Sequence, residues 1–338
     1  MSDSRDTVAE NAFMEQQAAA LLASVGDTLT RVPPALREPS ERRLALLLLD
    51  GVLHEEEAAT RAAVQAFHRE RIAAAADDIE RTSVAEGARI WKLYNHGFVI
   101  RTASVTFAFD LVRGTHVAGG AFAVDDAVMD RLAEACDAMF ISHRHGDHAD
   151  PVVAEAFLSR GKAVVTPPTV WEGETLHERV THPQRGADTQ HSLPIQGGAA
   201  ELRVVAYPGF HDGHDGLPNN VTLVTTPEGM GFLHTGDQAD PRAFTWIDTI
   251  AESHQVDVLM PNCWTTDIVR MIHGVRPAVV ITGHENEMAH TIDHREPYWL
   301  TYERQLGSDR WGGSRHVGYD APLVLMSWGE SFHHSPGG

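Results

Sequence analysis

Six consecutive residues of this sequence carry three imidazoles and a carboxylate. The segment FISHRHGDHAD contains His143, His145, Asp147 and His148 directly behind an apolar run. If that run is a β-strand that ends just before His143, the four side chains lie in the loop and first helical turn after it, where side chains converge on a pocket. Imidazole and carboxylate groups bind Zn²⁺, Fe and Mn in proteins. The spacing therefore predicts a metal site whose alternate residues can face two ions.

The elements that must position this motif begin with a helical segment. From about residue 11 to residue 86 the chain is rich in Ala, Glu, Arg and Leu, and its apolar residues recur at three- and four-residue steps. Breaks are expected at residues 32–34, where two prolines stand, and near Gly51. The pattern predicts an N-terminal helical extension over residues 1–88.

After this segment the residue pattern changes from helical to β-rich. From Ala88 onward, short β-rich runs such as DAMFIS, LRVVAYPGF and PAVVITGH alternate with turns. The segment TTPEGMGF between two apolar runs predicts a hairpin, so part of the sheet is expected to be antiparallel. The sequence predicts an α/β domain over residues 89–338 that carries the motif.

The motif and two later blocks resemble a known family. H-x-H-x-D-H behind a strand is similar to the signature of the metallo-β-lactamase fold superfamily, and the downstream order agrees over roughly residues 90–330. The blocks HTGD and VITGHENE look most like the branch that includes ascorbate-6-phosphate lactonase and N-acyl-phosphatidylethanolamine phospholipase D. The resemblance implies an α/β fold, a four-layer αββα sandwich with a two-metal site at one edge of its facing sheets.

The resemblance also implies how the first cation would be bound. It takes the two histidines of H-x-H, here His143 and His145, and a third histidine at a later strand end. Both His211 and His214 follow the run LRVVAYPGF. We favour His211 because it comes directly after the strand and its Pro-Gly turn, whereas His214 lies further into a Gly-rich loop.

The second cation would be bound by the rest of the motif and by two later residues. By resemblance, Asp237 in HTGD bridges the two cations, and His284 in VITGH joins Asp147 and His148 on the second. Asp110, at the end of VTFAFD, would hydrogen-bond a ligand loop without binding metal. The predicted metal ligands are His143, His145, Asp147, His148, His211, Asp237 and His284.

This ligand set predicts hydrolysis. Two cations about 3.5 to 4 Å apart lower the pKa of a shared water and generate a hydroxide for attack on an ester, lactone or phosphodiester. Asp147 and Asp237 would serve this chemistry, and His214, His290 and His294 are candidates to protonate the leaving group. We expect an enzyme, a metal-dependent hydrolase of a small lactone, ester or phosphorylated metabolite, with two divalent ions. Zn²⁺ is favoured, with Mn²⁺ or Fe as alternatives.

Three other functions remain open on the same fold. They are a phosphodiesterase or nuclease, a di-iron redox protein, and a non-catalytic binding module. A true β-lactamase is disfavoured because such enzymes commonly place a cysteine where Asp237 stands. Metal analysis separates redox from hydrolysis, since iron argues for the first and zinc for the second.

The amino-acid composition indicates which classes of partner to expect. With 27 basic and 47 acidic residues the formal charge is −20, which repels phosphate backbones, so nucleic acid is not an expected partner. The two cysteines form no disulfide framework, and we find neither a signal peptide nor an apolar stretch of membrane-spanning length. We therefore expect a cytoplasmic protein that acts on a small molecule. Its N-terminal helices could form a homo-oligomer interface.

Overall fold

The computed structural model describes residues 3–211, 216–288, 296–306 and 321–335. The chain opens with three long helices, α1 (Asp3–Arg31), α2 (Ser40–Leu53) and α3 (Ala62–Arg81). The predicted break at residues 32–34 separates α1 from α2. The second break lies near Gly51 and not at it, because α2 continues through this residue and ends at Leu53. A glycine inside a helix costs about 1 kcal/mol, which the burial of neighbouring Leu49 and Leu53 outweighs.

Two mixed sheets follow the helices. The first contains, in spatial order, β13 (Ser331–His334), β1 (Ala88–Lys92), β2 (Phe98–Arg101), β3 (Thr106–Phe109), β4 (Ala138–Phe140) and β5 (Ala163–Val165). The second contains β12 (Leu323–Val324), β11 (Val279–Ile281), β10 (Val258–Met260), β9 (Gly231–His234), β8 (Pro218–Thr225), β7 (Ala200–Phe210) and β6 (Gln190–Ile195). The predicted hairpin is confirmed, because β8 and β9 pair antiparallel on either side of TTPEGMGF.

The strands alternate between two apolar surfaces, as their period of two requires. Phe107 and Phe140 of the first sheet and Phe232 of the second belong to one core cluster, and the ring centroids of Phe107 and Phe232 lie 5.6 Å apart. Adjacent residues on the same strands, such as Met139 beside Phe140 and Leu233 beside Phe232, belong instead to the cluster that includes the helices. The sheets therefore face each other with helices outside, which is the predicted αββα order.

Shorter helices cover the outer faces of the sheets. They are α4 (Asp126–Ala135), α5 (Pro151–Leu158), α6 (Phe244–Ile247), α7 (Ile250–Ser253), α8 (Ile268–Val275) and α9 (Tyr298–Leu306). Among the described residues, no helix is both long and apolar enough to cross a membrane.

Strand direction brings the predicted ligand loops to one edge. Strands β3 and β4 are parallel, as are β9, β10 and β11, so the carboxyl ends of each set lie together. Strand β7 runs antiparallel to β8, which is antiparallel to β9, and so β7 ends at the same edge as β9. The two sheets meet there, since the backbone N–H of Asn220 on β8 donates to the carbonyl of Ser142 after β4 at 2.8 Å.

Candidate dinuclear metal site

The loop after β4 is fixed at its far end. Asp150 caps α5 by accepting the backbone N–H of Val152 at 3.0 Å, and Pro151 occupies the first turn, where a missing N–H costs nothing. The guanidinium group of Arg113 binds the same carboxylate at 2.8 and 3.1 Å. The histidine motif therefore connects a buried strand to a capped helix, and both of its ends are fixed.

Three histidines form the first cluster of ligand atoms. The ring nitrogens of His143, His145 and His211 lie within 4.8 Å of one another, and their ring centroids are 4.7 to 5.1 Å apart. Burial lowers the pKa of His143 and His145, which keeps these imidazoles neutral with a free lone pair. His143 is fully buried, and its Nε2 has no hydrogen-bond partner among the described residues.

The second cluster is tighter. Nε2 of His148 lies 3.1 Å from Nε2 of His284 and 3.1 Å from Oδ2 of Asp147, and Nε2 of His284 lies 2.8 Å from Oδ1 of Asp237. Donor atoms that are each about 2.1 Å from one zinc ion are separated by about 3 to 3.5 Å. These atoms therefore already have the spacing of a cation's ligands.

Asp237 stands between the two clusters. Its Oδ2 is 3.3 Å from Nε2 of His211 and 3.3 Å from Nε2 of His148, so one oxygen atom faces both sets. The amide of Asn262 donates to Oδ1 at 2.7 Å and fixes the rotation of the carboxylate. Burial raises the pKa of Asp237, but His284 and His148 hold it well below its usual range. The carboxylate is ionised and placed as a bridge.

A tight turn after β9 delivers this carboxylate. Gly236 has a φ of +51°, and a Cβ atom there would lie 2.3 Å from Oδ1 of Asn219 and 2.4 Å from Cβ of Ser142. Asn219 accepts the backbone N–H of Asp237 at 3.0 Å and donates to the carbonyl of Thr235 at 2.8 Å. The HTGD block therefore needs glycine at this position for both conformation and space.

Asp110 supports the ligand loop in the way the resemblance implied. Its carboxylate accepts the backbone N–H of Ser142 at 2.7 Å and the hydroxyl of Ser142 at 2.6 Å, and it lies 2.7 Å from Nδ1 of His148. The hydrogen on Nδ1 leaves the lone pair of Nε2 free for a cation. Burial lowers the pKa of His148, but Asp147, Asp237 and Asp110 raise it well above its usual value.

His284 is oriented by the neighbouring loop. Its Nδ1 is 2.9 Å from Nδ2 of Asn95 and 3.4 Å from Oε2 of Glu287, and Asn95 also donates to Asp147 at 3.2 Å. Burial lowers the pKa of His284, but the carboxylates of Asp237 and Glu287 raise it to about 9. The carboxylates around His284 therefore stabilise a positive charge there, which a bound cation would supply in place of the proton on the ring.

The structure thus brings together every described residue of the predicted ligand set. These residues are His143, His145, Asp147, His148, His211, Asp237 and His284. The predicted proton donors His214, His290 and His294 lie outside the described residues, and so does the alternative of His214 as third ligand.

The sequence did not indicate three of the residues at this site, Asn95, His96 and Glu287. Asn95 and His96 lie in the turn between β1 and β2, which closes through a hydrogen bond from the N–H of Leu93 to the carbonyl of Gly97 at 2.7 Å. The available signal was the histidine in YNHGF, placed between two β-rich runs, but Asn and Gly around it indicate only a turn.

The donor set fits divalent cations of borderline softness. The carboxylates of Asp147 and Asp237 are held ionised. The imidazoles of His143, His145 and His211 converge at one end of the site. At the other end, the Nε2 atoms of His148 and His284 lie 3.1 Å apart. Imidazole with carboxylate suits Zn, Fe and Co, whereas Mg and Ca prefer oxygen alone. His143, His145 and His211 would hold one cation, His148, His284 and Asp147 the other, with Asp237 between them.

Comparisons with known proteins agree with this fold. No protein-family model and no curated protein sequence matches the chain. Among solved structures, Igni18, a metallo hydrolase from Ignicoccus hospitalis, has a TM-score of 0.51 at 16% identity, over 73% of this chain and 99% of that one. An isothiocyanate hydrolase from Delia radicum gut bacteria has a TM-score of 0.50 at 13% identity, over 73% of this chain and 99% of that one.

A third similar structure belongs to a larger protein. CmlA, a diiron β-hydroxylase from Streptomyces venezuelae, has a TM-score of 0.50 at 13% identity, over 75% of this chain and 55% of that one. With the topology of the two sheets, these likenesses confirm the predicted four-layer αββα fold.

Proposed function

We propose that this protein is an enzyme, a metal-dependent hydrolase that uses two divalent cations. The observation that carries the proposal is the position of Asp237, whose Oδ2 faces both His211 and His148 at 3.3 Å. Two convergent ligand sets that share one carboxylate are the arrangement of a two-metal hydrolytic site. Two cations bound here would lower the pKa of a water and polarise the substrate oxygen that gains charge.

The chain's own residues define how a substrate would approach. His145, His211 and Asp147 are partly exposed, whereas His143, His148 and His284 are fully buried, so a substrate would approach from the side of the first three groups. Asp110 and Asn262 hold His148 and Asp237 in position before any substrate arrives. Such preorganisation avoids a cost of reorganisation during the reaction. His214 and His290 are our candidates for protonating the leaving group.

The proposed substrate is a small lactone, ester or phosphorylated metabolite. The formal charge of −20 disfavours long polyanions, which makes a phosphodiesterase or nuclease the runner-up. One of the similar structures is that of an isothiocyanate hydrolase. We further propose zinc as the favoured metal, a relationship to the lactonase and phospholipase D branch, and a cytoplasmic location in line with two free buried cysteines.

The test combines metal analysis with substrate panels. Protein purified without chelators should contain about two zinc or manganese ions per chain by elemental mass spectrometry, and should hydrolyse members of a lactone, ester or phosphodiester panel in a chelator-sensitive way. Asp237→Asn should lose bound metal and at least about a hundredfold in kcat/KM, because the bridge is removed.

Asp257→Asn is the matched control for that substitution. Asp257 is also a buried carboxylate and directly precedes β10, but it accepts the backbone N–H of Gly231 at 2.7 Å, at the start of β9 and away from the ligand edge. This variant should keep both metals and its activity. Two irons without hydrolysis would favour the di-iron redox alternative, and protein with no bound metal would contradict the proposal.

A further inference from the structure

One buried histidine at the site has no role in the ligand set discussed above. His96 lies in the turn between β1 and β2 and is fully buried, and neither of its ring nitrogens has a hydrogen-bond partner among the described residues. A buried polar atom without a partner costs about 1 to 3 kcal/mol. The described part of the protein therefore satisfies neither nitrogen of this buried ring.

The neighbouring His234 shows what a purely structural histidine looks like here. Its ring stacks against His96 with centroids 4.1 Å apart, but both of its nitrogens are occupied. Nε2 of His234 donates to the carbonyl of His96 at 3.0 Å, and Nδ1 accepts the backbone N–H of Gly236 at 3.2 Å. His234 therefore fixes the turn and offers no lone pair to a cation.

His96 converges with the second ligand cluster. One of its ring nitrogens lies within 4.8 Å of ligand atoms of His148, Asp237 and His284, and these atoms are all buried. The backbone N–H of His284 also donates to the carbonyl of Asn95, so the turn is bonded directly to the ligand loop. The geometry leaves His96 facing the same space as three predicted ligands.

The residue before His284 makes room for this ring. A Cβ atom on Gly283 would lie 1.8 Å from Cδ2 and 2.5 Å from Nε2 of His96. Only glycine at position 283 lets the His96 ring pack against the strand end that carries His284. The absence of a side chain at position 283 thus lets the His96 ring lie directly beside the strand end that carries His284.

We propose that His96 is a ligand of the second cation, alongside His148, His284, Asp147 and Asp237. This inference rests on the proposed dinuclear site. It gives each cation three imidazoles and a share of Asp237, where the resemblance implied only two imidazoles for the second. A site rich in imidazole favours Zn, Fe or Co over Mn, because Mn prefers oxygen ligands.

The direct test uses the unaltered protein. Apo protein labelled with ¹⁵N at histidine is titrated with ¹¹³Cd²⁺, and metal–nitrogen couplings are counted for each bound cadmium by NMR. We expect two cadmium ions, each coupled to three imidazole nitrogens. Two cadmium ions with three and two coupled nitrogens would overturn the role of His96 and leave the dinuclear site intact. Failure to bind two cadmium ions would overturn both.

Substitution provides the second test. His96→Gln should keep the first cation and weaken zinc binding at the second by at least about tenfold, and should reduce the preference of that site for zinc over manganese. His68→Gln is the matched control. His68 is equally buried and unpartnered among the described residues, but it packs on Trp328 and Phe67 at a distance from the ligand groups.

The pair of variants separates ligation from packing. If His96→Gln binds both cations with the affinity of His68→Gln, the proposal is wrong. If His96→Gln does not fold, the coupling count in the unaltered protein still decides the question.

Discussion

Asp110 determines which nitrogen of His148 would face the proposed second cation. Its Oδ2 lies 2.7 Å from Nδ1 of His148, and its other oxygen accepts the backbone N–H of Ser142 at 2.7 Å. The carboxylate accepts a hydrogen from each, which fixes the tautomer of the ring and the position of the loop together. At the scale of single residues, the site thus depends on side chains that would touch no metal.

We predict that Asp110→Asn selectively weakens the binding of the second cation. The asparagine oxygen can still accept from Ser142, but its NH₂ group would then face Nδ1 of His148 and favour the tautomer with hydrogen on Nε2. Affinity for the second cation should fall about 10- to 100-fold, as for other changes to residues that orient a ligand. Titration with a competing chelator measures this, and the first cation serves as an internal reference.

Asp137→Asn controls for the loss of a carboxylate that binds backbone. Asp137 accepts the N–H of Thr106 at 2.9 Å, at the opposite end of β3 from Asp110. Metal affinity should be unchanged in this variant. Equal zinc binding by Asp110→Asn and Asp137→Asn would rule out the orienting role.

At the scale of elements, the site is a set of strand ends. The loops after β4, β7, β9 and β11 contribute His143, His211, Asp237 and His284 in turn, because the directions of these strands place their carboxyl ends at one edge. Each loop needs a backbone that turns sharply into the site. The turn at Gly236 is the most restricted of these, with its positive φ and close neighbours.

Gly236→Ala should therefore disturb the bridge. The new Cβ would meet Asn219 and Ser142 at less than 2.5 Å, so the turn must shift and carry Asp237 with it. We expect a loss in the free energy of unfolding beyond the 1 to 2 kcal/mol of a left-handed backbone, and fewer than two bound cations per chain. Urea unfolding and elemental analysis measure the two effects.

Gly161→Ala isolates the backbone component. Gly161 has a φ of +70°, and a Cβ there would meet no atom within 4 Å. Its substitution should cost about 1 to 2 kcal/mol and leave metal content unaltered. A Gly236→Ala variant that behaves identically would show that the turn tolerates a side chain.

The histidine motif that the sequence indicated lies within a few consecutive residues, whereas His96, which it did not indicate, is distant along the chain from the residues it contacts. His143 to His148 lie within one loop, so residue type and spacing alone indicate the metal chemistry. His96 is separated by many residues from His284, and only the folded chain shows that Gly283 leaves space for its ring. Turn chemistry accounts for YNHG so well that a buried imidazole in the same turn gives no separate signal.

At the scale of the whole molecule, the N-terminal helices are joined to the sandwich by buried polar contacts. Arg42 of α2 binds both carboxylate oxygens of Glu330, at 2.8 and 2.5 Å, and donates to the carbonyls of Leu325 and Val32. Helix α3 adds Arg71, which donates to the carbonyl of Trp328 at 2.9 Å. Apolar residues of all three helices also belong to the cluster that packs on the sheets.

These contacts bear on the predicted division at residues 88 and 89. A helical extension that folds alone would carry its own core, whereas here Trp91 of β1 donates to Asp78 of α3 at 2.8 Å. His68 of α3 packs on Trp328 with ring centroids 4.2 Å apart. We therefore expect residues 1–88 to unfold together with the sandwich, as one cooperative unit.

Arg42→Met tests this coupling. The substitution removes the cation nearest to Glu330 and leaves only Arg71, whose Nη2 lies 3.7 Å from Oε1 of Glu330. The side chains of Arg42 and Glu330 are only 1% and 5% exposed, and removal of one partner of such a pair costs about 3 to 5 kcal/mol. Arg31→Met, which breaks an exposed pair with Glu41, should leave the free energy of unfolding nearly unchanged. The double variant Arg42→Met with Glu330→Gln should recover part of the loss, because the buried carboxylate that lost its nearest cation is replaced by a neutral amide. Urea unfolding followed by circular dichroism and tryptophan fluorescence should give a single coincident transition in each case. A separate early transition of the helices in Arg42→Met would instead mean that residues 1–88 form a domain of their own.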